Sequence, residues 1–279
     1  MESTFQPSRV LGRTGLIVGR LGLASSYGAP AGAFELAFEQ GCNLFYWGSL
    51  RKAGMAEAIR KLAPQRREQM VVMLQSYSRS GLRLPRVLEA GLHVLKLEYA
   101  DLLLLGWQNS EASRRLLDVA WREVERGRVR HLAVSFHDRA AFRAHLAEQR
   151  VGALMFRYNA AHRGAETSVF PHLPAPDGTG PGIITFTAVR WGTLTNPRYT
   201  PAGERTPTGG DCYRYVLTQP QVDVCLTGPA TTAQLEEAVG ALAAGPMKAD
   251  ELQWMRRVGD RVHQQTHRSW RNPFMQREQ

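Results

Sequence analysis

Lysine, cysteine and long apolar stretches are all scarce in this sequence. No apolar run approaches the ~20 residues that a membrane-spanning helix requires, so no membrane partner is expected. The opening MESTFQPSRV has none of the apolar stretch of a secretory signal, and the expected location is cytoplasmic. Cys42, Cys212 and Cys225 are odd in number, far apart and without ligand spacing, which reads as free thiols in a reducing compartment. There is no Gly-x-Ser-x-Gly elbow, phosphate-binding Walker loop, Cys-x-x-Cys pair or His-Glu-x-x-His. His263 and His267 are four apart, but no carboxylate is suitably placed beside them, so no metal site is expected. Lysine occurs only at positions 52, 61, 96 and 248, so the formal charge of +10 is almost wholly arginine. Arg256, Arg257, Arg261, Arg268, Arg271 and Arg277 make the C-terminal end basic. No aromatic interleaving or nucleic-acid motif accompanies them. The expectation is a loose, solvated tail over about residues 265–279 and no nucleic-acid partner. Nothing in the sequence fixes an oligomeric state.

What is present fits one large domain over residues 1–279. Hydrophobic residues make up 43% and charged residues 22%, enough apolar content to fill a sizeable core. Two short apolar runs flank Gly12-Arg13-Thr14-Gly15 and predict a hairpin. Strand-like segments follow at Arg20–Ala24, Asn43–Tyr46, Met70–Gln75, Asp101–Leu105, Val129–Ser135, Ala153–Tyr158, Gly182–Thr187 and Val222–Thr227. Amphipathic stretches alternate with them, among them Ala31–Gln40, Pro85–Leu97, Ser113–Glu125 and Ala233–Ala243. A helix over Asp250–Val262 closes the pattern. Eight β-then-α units predict an α/β fold, a closed parallel (β/α)8 barrel of the TIM type. The four leucines at 102–105 suit a strand covered on both faces. Two loops stand apart: Leu173–Gly182, rich in Pro and Gly, and the polar Thr195–Asp211, whose length suggests a functional role.

Several segments resemble signatures of the aldo/keto reductases. They are LGRTGLIVGRLGL at 11–23, AFEQGCNLF at 37–45, YADLLLLGW at 99–107, ERGRVRHLAVS at 125–135, RYNAAHRGAE at 157–166, WGTLTNPRY at 191–199 and CLTGPATTAQLEEAVGAL at 225–242. They occur in the family's order and span residues 8 to 262. The resemblance implies a barrel with an N-terminal hairpin and, at its C-terminal mouth, a catalytic Asp, Tyr, Lys and His working with NADP(H). The positions that correspond here read Tyr46, Arg51, Gln75 (or Ser76, one residue on) and Gly106. None of the four family side chains is kept. Arginine is a poor proton donor at neutral pH and glycine has no side chain, so the family's proton relay is not expected.

The same resemblance assigns nicotinamide contacts to Ser135 and Phe186, and phosphate or adenine contacts to Thr227, Gly228, Thr231, Thr232, Gln234 and Glu237. Met155 stands where a glutamine is expected, and no basic residue lies near Thr231 or Thr232. No cofactor is therefore favoured, although NADP(H) is kept open. For the mouth, the candidate catalytic residues are Tyr46, Arg51, His137 and His162. A phenol or an imidazole there can do acid–base work. Trp47, Gln75, Ser76, Tyr77, Trp107, Gln108, Arg163, Arg190 and Trp191 are candidate substrate contacts. Arg51 and Arg190 are expected to clamp an anion beside Trp47 and Trp191. The expected function is a non-redox enzyme acting on a small anionic or aromatic molecule, by elimination, isomerisation or hydrolysis. The alternatives are an NAD(P)H-dependent oxidoreductase with a relocated proton donor, and a non-catalytic binding protein.

Overall fold

The computed structural model describes residues 4–48, 51–175 and 178–270, with the side chains of 267–270 excepted. The hairpin forms as the two apolar runs predict: β1 (Ser8–Val10) pairs antiparallel with β2 (Ile17–Gly19). Leu11, Leu16 and Val18 are buried in the barrel's inner core. Gly12 bridges to Pro181 at the start of a strand, so the hairpin plugs the N-terminal end.

Eight parallel strands then close on themselves. They are β3 (Leu21–Ala24), β4 (Leu44–Trp47), β5 (Val71–Ser76), β6 (Ala100–Leu105), β7 (Val129–Phe136), β8 (Val151–Arg157), β9 (Gly182–Phe186) and β10 (Val224–Thr227). They pair in sequence order, and β10 returns to β3. The helices are α1 (Ala31–Glu39), α2 (Ala53–Arg66), α3 (Leu84–Leu95), α4 (Arg114–Glu125), α5 (Phe142–Ala147), α6 (Ala165–Ser168), α7 (Gly209–Thr218), α8 (Thr232–Ala243) and α9 (Ala249–Trp270). No described helix is long and apolar enough to cross a membrane.

Strand periodicity of two sorts each side chain into one of two cores. Leu44, Tyr46, Met73, Leu102, Leu104, Ala133 and Met155 fill the barrel, while Phe45, Trp47, Leu74, Leu103, Leu105 and Val134 pack outward on the helices. The four leucines at 102–105 are buried because both faces of β6 are covered. Cys42, Cys212 and Cys225 are free and buried.

Two expectations about the chain's later part change. The long polar loop ends at Thr208, which caps α7 through a reciprocal box with Asp211. It is pinned from within: Arg205 bonds Asp211 at 2.7 Å and lies 3.7 Å over the Trp254 ring, and Glu204 pairs with Arg257 at 2.5 Å. The tail expected from about residue 265 is instead helical through Trp270, because Val258, Val262 and Thr266 continue a buried i, i+4 stripe. Residues 271–279 lie outside the described residues, as do Pro176 and Asp177 of the earlier loop.

Candidate functional site

Non-glycine residues with φ in the left-handed region mark the C-terminal mouth. Arg51 follows β4, Trp107 follows β6, and Thr187, Arg190 and Trp191 follow β9, with φ between 48° and 62°. For a β-branched residue such as Thr187 this region is strained, at a cost of order 1–3 kcal/mol. Local bonds hold these turns. Trp107 N–H donates to Ser135 Oγ at 3.1 Å, Arg79 reaches the Trp107 carbonyl, and Asn159 Nδ2 donates to the Thr187 carbonyl at 2.8 Å.

Inside the rim lies a cavity of about 240 Å³. Its walls carry Tyr46, Gln75, Tyr77, Trp107, Ser135, His137, Met155, Phe186, Trp191 and Gly228, with Ser26 and Tyr27 from the loop after β3. Tyr77, Trp107 and Trp191 keep 52%, 52% and 54% of their surface exposed, so three large rings stand open at the entrance. Among the described residues, no lysine, aspartate or glutamate lines this cavity.

On the β4–β6 side the groups are neutral and close on one another. Tyr46 is buried and its hydroxyl donates to Gln75 Oε1. Burial, then the neighbouring Tyr77 phenol, pushes the Tyr46 phenol well above its ordinary range. Two glycines make room for this set. A Cβ at Gly106 would meet the Tyr77 ring at 2.7 Å and the Gln75 amide nitrogen at 2.8 Å, and one at Gly48 would meet the Tyr46 ring at 2.9 Å. The space left by a side chain at Gly106 is thus taken by Tyr77 and Gln75, not by Tyr46.

On the β7–β9 side the groups are basic. His137 stands edge-on between Trp107 and Phe186, with ring centroids 5.6 and 5.4 Å away. Its Nδ1 accepts from Arg157 Nη2 at 3.2 Å, which places the proton of the neutral ring on Nε2. Burial and then Arg157 hold its pKa below the usual imidazole value. Arg157 also reaches His162 Nε2 at 3.5 Å and lies 5.1 Å over the Trp191 ring. Arg190, only 6% exposed, donates to His162 Nε2 and, at 2.8 Å, to Thr266 Oγ1 of α9. His162 is driven down to about 3, by burial first and then by Arg190 and Arg157. Burial and Arg157 bring Arg190 down to about 10.

Several sequence expectations for the mouth do not hold. Trp47 follows inward-facing Tyr46 and therefore points outward, where it packs in the helix-side core with Lys52 Nζ 3.9 Å over its ring. Ser76 follows Gln75 in the same way. It is buried, and its hydroxyl accepts from Ser78 N–H at 3.2 Å. Gln108 is buried and tied to Gly106 O at 3.2 Å and to Ser135 O at 2.7 Å. Arg163 turns to α9, bonding Asp260 at 2.6 Å, while Glu166 pairs with Arg256 at 2.8 Å and not with Arg163. Arg51 is exposed and lies against Gly28, so it neither joins Arg190 nor lowers the Tyr46 pKa. His162 has its lone pair held by two guanidinium groups and is absent from the cavity wall.

The dinucleotide contacts fit poorly. Ala230 N–H donates to Gln234 Oε1 at 2.8 Å and Gln234 N–H to the capping Thr231 hydroxyl at 3.3 Å, so these two donors at the start of α8 are engaged. Thr232 opens the same helix. Glu237 accepts from Gly210 N–H at 3.2 Å, and Thr227 bonds the Tyr213 hydroxyl at 2.9 Å. Tyr27 covers Gly228, its ring 3.1 Å from where a Cβ would stand. Met155 offers no hydrogen bond to an amide. Ser135 and Phe186 alone keep positions suited to a flat ring.

Arg157 and Tyr27 were not among the sequence candidates. Arg157 was findable, since it lies two residues beyond inward-facing Met155 on the same strand. Tyr27 sits in a loop, where no periodicity applies. Among the described residues, no cluster of His, Cys, Asp and Glu is placed to hold a metal ion.

No family model matches the chain, and no curated protein matches it in sequence. Among solved structures it is similar to an aldo-keto reductase from Bacillus halodurans in its apo form, with TM-score 0.74 and 20% identity over 91% of this chain and 96% of that one. The holo form of that protein matches with TM-score 0.73 and 18% identity, again over 91% and 96%. An aldo-keto reductase from Klebsiella pneumoniae in complex with NADPH matches with TM-score 0.73 and 16% identity over 93% and 96%. At such identities the likeness establishes the fold, the closed (β/α)8 barrel with an N-terminal hairpin that those reductases have.

Proposed function

We propose that this chain is an enzyme on an aldo/keto reductase-type barrel that has lost the family's Asp, Tyr, Lys and His, and that it performs acid–base chemistry on a small aromatic or anionic molecule. The donor set of the cavity carries this reading. It holds phenols at Tyr46 and Tyr77 and an imidazole at His137, and among the described residues no lysine or carboxylate stands in its wall. A neutral imidazole with its proton on Nε2 polarises a substrate carbonyl without giving up its charge state. Tyr46 on β4 supplies a second hydroxyl three strands around the ring. Together they stabilise negative charge developing on oxygen, as an enolisation, isomerisation or elimination requires, while the α-proton leaves to solvent water at the open mouth. The exposed tryptophans give a planar substrate faces to lie against. The test is exchange of α-protons in deuterated water, followed by NMR over a panel of small aryl ketones and aryl keto acids. The expected result is enzyme-dependent exchange that falls ~100-fold or more in His137→Gln. Absence of exchange across the panel, or exchange indifferent to His137, contradicts the reading.

A second reading is an NAD(P)H-dependent oxidoreductase with a relocated proton donor. The Phe186 ring in the cavity wall favours it, as does the NADPH bound in the Klebsiella pneumoniae structure. It stands second because the Ala230 and Gln234 N–H groups at the start of α8 are engaged and Tyr27 lies over Gly228.

A further inference from the structure

Several arginines elsewhere in this chain meet carboxylates, while buried Arg20 is held by three backbone carbonyls. Arg67 and Arg130 bracket buried Asp101 at 2.8 and 3.2 Å, Arg214 bonds Glu251 at 2.6 Å, and Arg163 bonds Asp260 at 2.6 Å. Arg157 and Arg190 differ. Neither has a carboxylate within ion-pair distance among the described residues, and each relies on neutral acceptors: His137 and His162 for one, His162 and Thr266 for the other. A guanidinium has five N–H donors, and the Nε of each is buried without a partner, as is that of carboxylate-paired Arg67, so the missing counter-ion is what sets Arg157 and Arg190 apart. Two neighbouring positive charges, Arg190 buried and Arg157 half-buried, with no counter-ion beside them are unfavourable. A ligand that carries the missing negative charge would relieve that cost. The geometry bears this out. Arg157 lies on the inward period of β8, directly behind His137 and Trp191, which line the mouth cavity. Arg190 stands behind it across the shared His162, and Arg139 adds a further positive charge from the loop after β7.

The structure assigns Arg157, backed by the charge of Arg190, as the receptor for the carboxylate of a small planar acid whose ring lies between His137 and Trp191. This rests on reading the mouth as a small-molecule site, and it names the substrate class: an aromatic or conjugated acid, not a neutral ketone. A guanidinium fork matches a carboxylate in its own plane, and Arg157 already lies 5.1 Å over the Trp191 ring. In such a complex the carboxylate takes the place of His137 Nδ1 as partner to Arg157. That frees the imidazole lone pair for proton transfer.

Calorimetric titration with benzoate and with benzamide tests the assignment, using the full chain and its Arg157→Gln and Arg157→Lys variants, with melts to show that each is folded. Benzoate is expected to bind the parent at least tenfold tighter than benzamide. Arg157→Gln should erase that preference by weakening benzoate at least tenfold more than benzamide, and Arg157→Lys should restore part of it. Equal affinities for the two probes in the parent, or a benzoate preference that survives Arg157→Gln, overturns the carboxylate site while leaving a small-molecule mouth. Failure of both probes to bind the folded parent overturns the site and the small-molecule reading together.

Discussion

Tyr46, Gln75 and Tyr77 on one side of the mouth, and Arg157, His162 and Arg190 on the other, are all polar side chains drawn into the end of a barrel. The first group is settled within itself: a neutral phenol donates to a neutral amide, and two glycines leave the space for it. The second holds two guanidinium groups around one imidazole, with buried donors left over. The contrast teaches that burial alone does not mark a functional group. A polar set whose bonds close holds its architecture without a ligand, whereas one that lacks its counter-charge is prepared for one.

The strongest way to break the neutral side is to return a side chain to Gly106. Gly106→His should destabilise by ~3 kcal/mol, since even its Cβ meets Tyr77 and Gln75 well inside van der Waals contact. Urea unfolding measures this, and an unchanged midpoint would show that Tyr77 and Gln75 are free to move aside. A paired comparison sharpens the contrast. Tyr46→Phe leaves Gln75 Oε1 without its donor and should cost ~1–3 kcal/mol. Arg190→Met removes an uncompensated buried charge and should be neutral or stabilising by ~1 kcal/mol in the absence of ligand. If Arg190→Met destabilises as much as Tyr46→Phe, the basic side is architecture too.

The pH dependence separates the two sides further. His162 is neutral in the fold, with a pKa of about 3 set by burial, Arg190, Arg157, His263 and Arg139. An unfolded imidazole titrates near 6.5. Between those values the unfolded chain binds the extra proton, so stability should fall as pH drops through that window. The slope attributable to this one group is at most ~1.4 kcal/mol per pH unit, and less where solvent screens it. His162→Gln should flatten denaturation midpoints over that range, and identical pH profiles for parent and variant would refute the assignment. The smallest effect is expected at Arg51, whose side chain is exposed. Arg51→Ala should change stability by less than ~0.5 kcal/mol and leave benzoate affinity intact, and a tenfold loss of affinity would return Arg51 to the site.

The barrel was legible because its signals are local and repeated. Period-two apolar runs and amphipathic stretches alternate eight times, and each strand was located to within a few residues. Tyr46, Gln75, His137 and Phe186 were legible as strand ends. The errors came from treating neighbours at a strand end as companions. Trp47 and Ser76 each follow an inward residue and so face the helices. The fates of Arg163, His162 and Arg190 depend on α9, which reaches across the chain to Asp260 and Thr266. No short-range pattern encodes that packing. The extension of α9 to Trp270 was readable in principle, since Val258, Val262 and Thr266 keep the helical spacing among polar neighbours.

The central claim is that this mouth receives a small planar acid and not a nicotinamide dinucleotide. The most direct measurement is calorimetric titration of the folded protein with NADPH and NADP+ alongside benzoate. The account predicts saturable binding of benzoate and none of either dinucleotide up to millimolar concentration. Micromolar binding of NADPH that is lost in Phe186→Ala would contradict it, and would place the chain among the nicotinamide-dependent oxidoreductases.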